Sequence, residues 1–284
     1  MRPLNSVVHA PPWEVGGVKS LYTACEALDR LGCSRIAPFH EPQLATWFQH
    51  TCALYEGSYA PDLVVYPEIH QPQNVDAFQI CFALGKYGDV SPQADLTVCR
   101  SHALTNWVAA RHPGMPTSLI RPGINRSVFE YDGRPKQDLI CYMTRPHKHP
   151  ETAALLRERY GDKVVEIVSC PEVEVAELLK SAKVFVCRGN DKEGSPRPPK
   201  EALVAGCVVV GLKSDLNADF HTDFGLRCDS VEELIERCGE ALAMPVPTVG
   251  ERSVVRDAEE EKRDWISLVG TLEVHALRKK GRKG

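Results

Sequence analysis

Short apolar runs alternate with longer amphipathic segments along most of this chain, and they do so in two series. The first holds Ser6-Val7-Val8-His9, Leu63-Val64-Val65-Tyr66, Leu96-Thr97-Val98-Cys99 and Thr117-Ser118-Leu119-Ile120 as strands, with helices near 18–31, 42–55 and 101–111. Short runs that stay apolar on successive positions belong to parallel strands covered on both faces, and the intervening helices supply the cover. In the first helix Leu21, Cys25, Leu28 and Leu31 share a face, and Gly32 is expected to stop it. The second series has strands at 139–143, 164–168, 184–187 and 208–212, alternating with helices near 150–160, 172–181, 199–205 and 231–243. The fold class is therefore α/β, with two doubly wound units and a cleft between their strand ends, where open α/β sheets take ligands.

The expected domains are 1–125, a linker over 126–137 that contains Gly133 and Pro135, and 138–245. Residues 246–284 form a further segment. Pro245 and Pro247 break the preceding helix, and Trp265, Leu268, Val269 and Leu272 then make one helical face that predicts docking. The basic end, Arg278-Lys279-Lys280-Gly281-Arg282-Lys283, reads as a disordered tail. A net charge of −4 gives no global drive toward nucleic acid or anionic membranes. The eleven cysteines are scattered without a Cys-x-x-Cys pair, so they read as reduced core residues and not as metal ligands. No apolar stretch has the length of a membrane span, and the chain opens without a signal-type apolar region, so a cytoplasmic protein with no integral membrane segment is expected.

Function is concentrated in Glu193-Gly194-Ser195-Pro196-Arg197-Pro198-Pro199-Lys200-Glu201, which runs into Ala202-Leu203-Val204-Ala205-Gly206 and the strand Cys207-Val208-Val209-Val210. Pro198 or Pro199 marks a helix entry and Gly206 its exit, leaving one carboxylate in the loop and one in the first turn. Unpaired amides at a helix start attract anions such as a diphosphate, and carboxylates accept from sugar hydroxyls. Phosphate plus hydroxyls describes a nucleotide sugar.

Over most of residues 4–243 the chain resembles the retaining GT-B glycosyltransferases, enzymes with two Rossmann-like domains that use nucleotide-sugar donors. The strongest match is the pair of glutamates with seven residues between them, followed by Ala, a small residue, Gly and a strand. Gly16-Gly17 at the first helix, Ser101 before a helix, Arg121-Pro122-Gly123-Ile124-Asn125 before the linker, and Arg145-Pro146-His147-Lys148 after the strand ending at Met143 are similar to further family features. The resemblance implies that Glu193 binds donor-sugar hydroxyls. It assigns Gly194, Ser195, Pro196 and Arg197 to backbone contacts with sugar and phosphate, and Glu201 to the ribose hydroxyls. Arg145 and Lys148, with His147 between them, are the cations for the diphosphate. Gly16 and Gly17 let the backbone approach donor phosphates or acceptor. A first-domain histidine near the sugar is also implied; His9 and His70 are candidates for it, with Glu68 beside His70. Pro196 departs from the family's usual glycine and removes a backbone N–H at the sugar side.

The sequence contains no Asp-x-Asp motif, so the expected donor chemistry needs neither metal nor cofactor, with the nucleotide diphosphate sugar as substrate. A noncatalytic nucleotide-sugar-binding protein, and an epimerase or phosphorylase of the same layout, are the alternatives. The acceptor stays open between a polysaccharide and a small molecule. The basic end would suit modified DNA, against which the mildly acidic body of the chain counts.

Overall fold

The computed structural model describes residues 3–14, 16–57, 59–70, 77–143, 149–189, 192, 194–216 and 225–280, with side chains as far as 272. By internal contacts the chain forms two units. One comprises Met1–Thr46, His50–Gly123 and Ala258–Gly284, and the other Trp47–Gln49 and Ile124–Asp257.

The first unit begins with β1 (Leu4–Ala10), α1 (Gly16–Asp29), β2 (Gly32–Pro38), β3 (Leu63–Pro67) and β4 (Phe78–Ala83), then β5 (Leu96–Cys99), α2 (His102–Arg111) and β6 (Thr117–Leu119). Its strands are parallel, in the order β2-β1-β3-β4-β5-β6. β3 and β5 are buried at every position, as their unbroken apolar runs require. Ser101 caps α2, its side chain accepting from the Leu104 N–H at 3.1 Å.

Two expectations for this unit are corrected. The helix foreseen over 42–55 is absent, because that stretch meets its hydrogen bonds at long range. Ile36 N–H donates to Ala53 O and Tyr55 N–H to Ile36 O, while Thr51 N–H donates to the Glu26 carboxylate. Gly32 does not stop α1, which ends at Asp29, but opens β2. A Cβ there would stand 2.3 Å from Leu4 O, so the glycine permits close approach of β2 to β1. β2 and β4 themselves were not foreseen.

The second unit contains α3 (Arg126–Phe129), β7 (Gln137–Met143), α4 (Pro150–Tyr160), β8 (Val164–Ile167), α5 (Glu172–Ser181), β9 (Ala182–Cys187), α6 (Pro198–Val204), β10 (Val208–Leu212), β11 (Gly225–Cys228), α7 (Val231–Ala243) and α8 (Val249–Ser253). Its parallel sheet has the order β11-β10-β9-β7-β8. Cys141, Phe185 and Val209 pack into one core with Phe129, Leu179 and Leu203. Tyr142, Val184 and Val210 pack into the other with Leu156, Leu234 and Cys238. Each fully buried Leu or Phe side chain contributes roughly 2 kcal/mol.

The stretch read as a linker is folded into this unit. It carries α3, whose Phe129 is buried, and Lys136 Nζ donates to Leu179 O and Ala205 O, both at 2.7 Å. The expected terminal segment divides: residues up to Asp257 lie with the second unit, and α9 (Ala258–Lys280) lies with the first. There Trp265 is fully buried, edge-on to Phe82 at 5.1 Å, and Lys262 pairs with Glu26 of α1 at 2.9 Å. All eleven cysteines are free thiols. Among the described residues no helix is long and apolar enough to cross a membrane.

Candidate functional site

In the second sheet the chain adds β8 on one side of β7 and then places β9 on the other. That reversal is a topological switch point, and in open parallel sheets the crevice outside the strand C-termini at such a point is where ligands sit. The C-termini of β7 and β9 flank that crevice.

After β9, Gly194, Ser195, Pro196 and Arg197 are all buried and lead into α6. Lys200 Nζ donates to Ser195 Oγ at 2.6 Å, fastening the loop to the first turn of the helix. The Arg197 and Glu201 side chains, each 5% exposed, face one another with Nε 3.9 Å from Oε1. The two side chains are thus one helical turn apart on the same face of the helix start. The amides of the helix start differ from expectation. Pro198 and Pro199 have no N–H, and those of Lys200 and Glu201 donate to Arg197 O. Positive charge at this helix start therefore comes from side chains and not from a row of free amides.

A cluster that the sequence reading missed ties the two sides of the crevice together. Arg188, immediately after β9, is 7% exposed, and its Nε donates to Asp215 Oδ2 at 2.8 Å. Its Nη1 donates to Thr152 Oγ1, and its Nη2 to His149 Nδ1 at 3.0 Å. His149 Nε2 lies 3.1 Å from Gly189 O, and its Nδ1 also lies 3.1 Å from the Glu151 carboxylate. One guanidinium thus joins the end of β9 to the start of α4 and the turn after β10. Burying a charge is tolerable here because each of its three nitrogens has a partner. An arginine directly after an apolar strand was the only sequence signal.

Arg145, Lys148 and Glu193, with His147, lie outside the described residues. Of the first-unit candidates, Gly17 is the second residue of α1 and lies against Leu84: a Cβ would stand 3.0 Å from Leu84 Cδ1. Gly16, its neighbour, is the first residue of that helix. Glu68 is buried, and its two oxygens accept from the Leu84 and Gly85 N–H groups, both at 2.9 Å. Burial pushes this carboxyl up to about 7, against the pull of those amides and of Arg100. Glu68 thereby anchors the backbone after β4. His9 and His70 lie together, ring centroids 4.9 Å apart.

No family model matches the sequence, and no curated protein matches it either. Solved structures do. A glycosyltransferase from Rickettsia africae ESF-5 superposes with a TM-score of 0.64 at 11% identity, over 96% of this chain and 98% of that one. AviGT4, a glycosyltransferase involved in avilamycin A biosynthesis, gives 0.61 at 14%, over 97% and 98%. Anabaena Alr3699/HepE in complex with UDP-glucose gives 0.63 at 11%, over 94% and 100%. This chain has the GT-B fold. The coverage is nearly complete in both directions, so the likeness in fold spans both units.

Proposed function

We propose that this protein is a retaining glycosyltransferase that moves a sugar from a nucleotide diphosphate sugar to a hydroxyl-bearing acceptor. The observation that carries the reading is the buried loop 194–197 and Glu201 at the switch point of the second sheet, one residue after Glu193 in a fold shared with a protein solved with UDP-glucose. Glu201 accepts from the ribose hydroxyls, and Glu193 from the hydroxyls of the transferred sugar. Arg145 and Lys148 neutralise the diphosphate as the glycosidic bond to it breaks, which is where the transition state gathers negative charge. Two side-chain cations supply the charge, and the Arg188 cluster holds the start of α4, which follows them in sequence, to the end of β9.

The test is to incubate the purified chain with UDP-sugars and other nucleotide sugars, with and without a pool of acceptors. Acceptor-dependent release of the nucleoside diphosphate is expected. Glu193→Ala and Arg145→Ala should each lower turnover by orders of magnitude, and Glu201→Ala should raise the donor KM. Full activity in the first two variants would sink the site assignment. Binding of the donor without cleavage would instead mark a binding protein, and conversion of the donor without an acceptor an epimerase.

A further inference from the structure

Two of the eleven thiols are brought together by segments far apart in the sequence. Cys25 lies in α1, and Cys52 in the irregular stretch that follows β2. That stretch runs across α1 and is held there by residues on either side of Cys25. Cys52 Sγ donates to Tyr22 O at 3.4 Å, while Thr51 N–H and Oγ1 donate to Glu26 Oε1 at 2.8 and 3.2 Å. Tyr22, Cys25 and Glu26 make up about one turn of the helix, so Cys52 crosses it at the level of Cys25. The two thiols are close enough that Cys25 is the largest influence on the ionisation of Cys52, ahead of burial. From β2, Ser34 Oγ donates to Cys25 Sγ at 3.4 Å. Its neighbour Cys33 belongs to the other face of that strand, because successive side chains alternate.

The surroundings decide which sulfur reacts first and how fast. Cys52 is half-buried, whereas Cys25 is 1% exposed, so a small oxidant meets Cys52 first. Cys25 and burial together hold Cys52 protonated, well above the ordinary thiol range. Only the thiolate attacks a peroxide, so the first step is slow at pH 7 and speeds up as pH rises. It converts one hydrogen peroxide into water and leaves a sulfenic acid on Cys52. The Cys25 sulfur then attacks the Cys52 sulfur, and the departing hydroxide takes the Cys25 proton to give a second water. The two thiols have lost two electrons and two protons, and one peroxide has gained them. Negative charge gathers on Cys25 in the second step, where the Ser34 hydroxyl already donates to it.

We propose that Cys25 and Cys52 are a peroxide-oxidisable pair whose disulfide pins the 51–55 stretch to α1. Leu54 of that stretch bridges Ile36 of β2, an edge strand of the first sheet, so the bond fixes the margin of that sheet. It also fixes the place where the chain comes back to the first unit after Trp47–Gln49, which belong to the second. None of this depends on the transferase reading.

The test exposes the reduced full chain to hydrogen peroxide, blocks the remaining thiols and maps cross-links by mass spectrometry of non-reducing tryptic digests. Fragmentation separates Cys52 from Cys81, which share a tryptic peptide. Cys25–Cys52 is expected as the first cross-link, formed roughly tenfold or more faster at pH 9 than at pH 7. Closing a loop over residues 26–51 restricts the unfolded chain, so the oxidised form should melt about 5 °C or more above the reduced one. Cys52→Ser should abolish both the cross-link and the shift, and Cys33→Ser should leave both intact. Cys52 is half-buried, so its serine variant keeps the fold, which a reduced melting temperature equal to the parent's checks; the cross-link map of the parent chain is decisive without it. Another pair linking first, Cys52 advancing to a sulfinic acid while Cys25 stays reduced, or a Cys25–Cys52 bond that lowers the melting temperature would each overturn the proposal.

Discussion

At the scale of single residues, buried polar groups carry the consequences that are easiest to measure. Glu68 has a folded-state pKa of about 7 against an ordinary 4.5, with burial as the main cause. Between those values the folded chain holds a proton that the unfolded chain releases. The stabilisation is therefore complete below about pH 4.5 and is lost as pH rises through 7, by about 3 kcal/mol in all. Glu68→Gln cannot ionise, so urea midpoints measured across that window should vary less with pH in the variant; an unchanged slope would remove Glu68 as the cause. Arg188→Ala acts differently, since it strands Asp215 without its cation, and should cost about 3–5 kcal/mol in denaturant titration. Neither role was legible in the sequence. A glutamate past a strand end reads the same whether it meets a sugar or, as here, the Leu84 and Gly85 amides, because the choice is made by a segment sixteen residues away.

At the scale of elements, what could be read depended on burial and on local chemistry. Strands covered on both faces, such as β3, β5 and β10, announce themselves as unbroken apolar runs. β2 and β11 lie at the sheet edges and are partly exposed, so their sequences, GCSRIAP and GLRC, carry no such run. The cap at Ser101 and the glycine after α6 were legible because each follows from a contact within a few residues. Gly206 yields a sharp prediction. Its φ is +82°, and an added Cβ would stand 3.0 Å from the Tyr131 ring and 3.2 Å from Lys136 Cε. Gly133, in the same unit, has φ of +86° with nothing within 4 Å. Both alanine variants should lose about 1–2 kcal/mol to the left-handed backbone. Only Gly206→Ala should lose more, by displacing the lysine that caps α5 and α6, and equal thermal shifts for the two would show that the contact carries no weight.

At the scale of the whole molecule, the order of the chain and the order of its cores differ. Apart from the brief excursion of Trp47–Gln49, the sequence runs from the first unit into the second at Gly123 and returns at Ala258, and a parallel bridge joins Ile124 to Asp257, the first and last residues of that long second-unit stretch. Gly123 N–H donates to Glu261 Oε2 at 2.8 Å, which ties the exit from the first unit to the helix that re-enters it. The apolar face around Trp265 could be read as a docking surface, but its partner could not, because Phe82 lies far back in the sequence on a strand that was itself not foreseen. The C-terminal helix is therefore core to the N-terminal sheet. Trp265→Ala empties a site with no solvent exposure and should cost about 3–5 kcal/mol. That loss belongs to the first unit: amides of β3 and β4 should exchange faster by hydrogen-exchange mass spectrometry, while those of β9 and β10 keep their protection. An equal loss across all four strands would mean that the two units unfold as one cooperative body, and protection unchanged in β4 would mean that α9 does not support the sheet on which it lies.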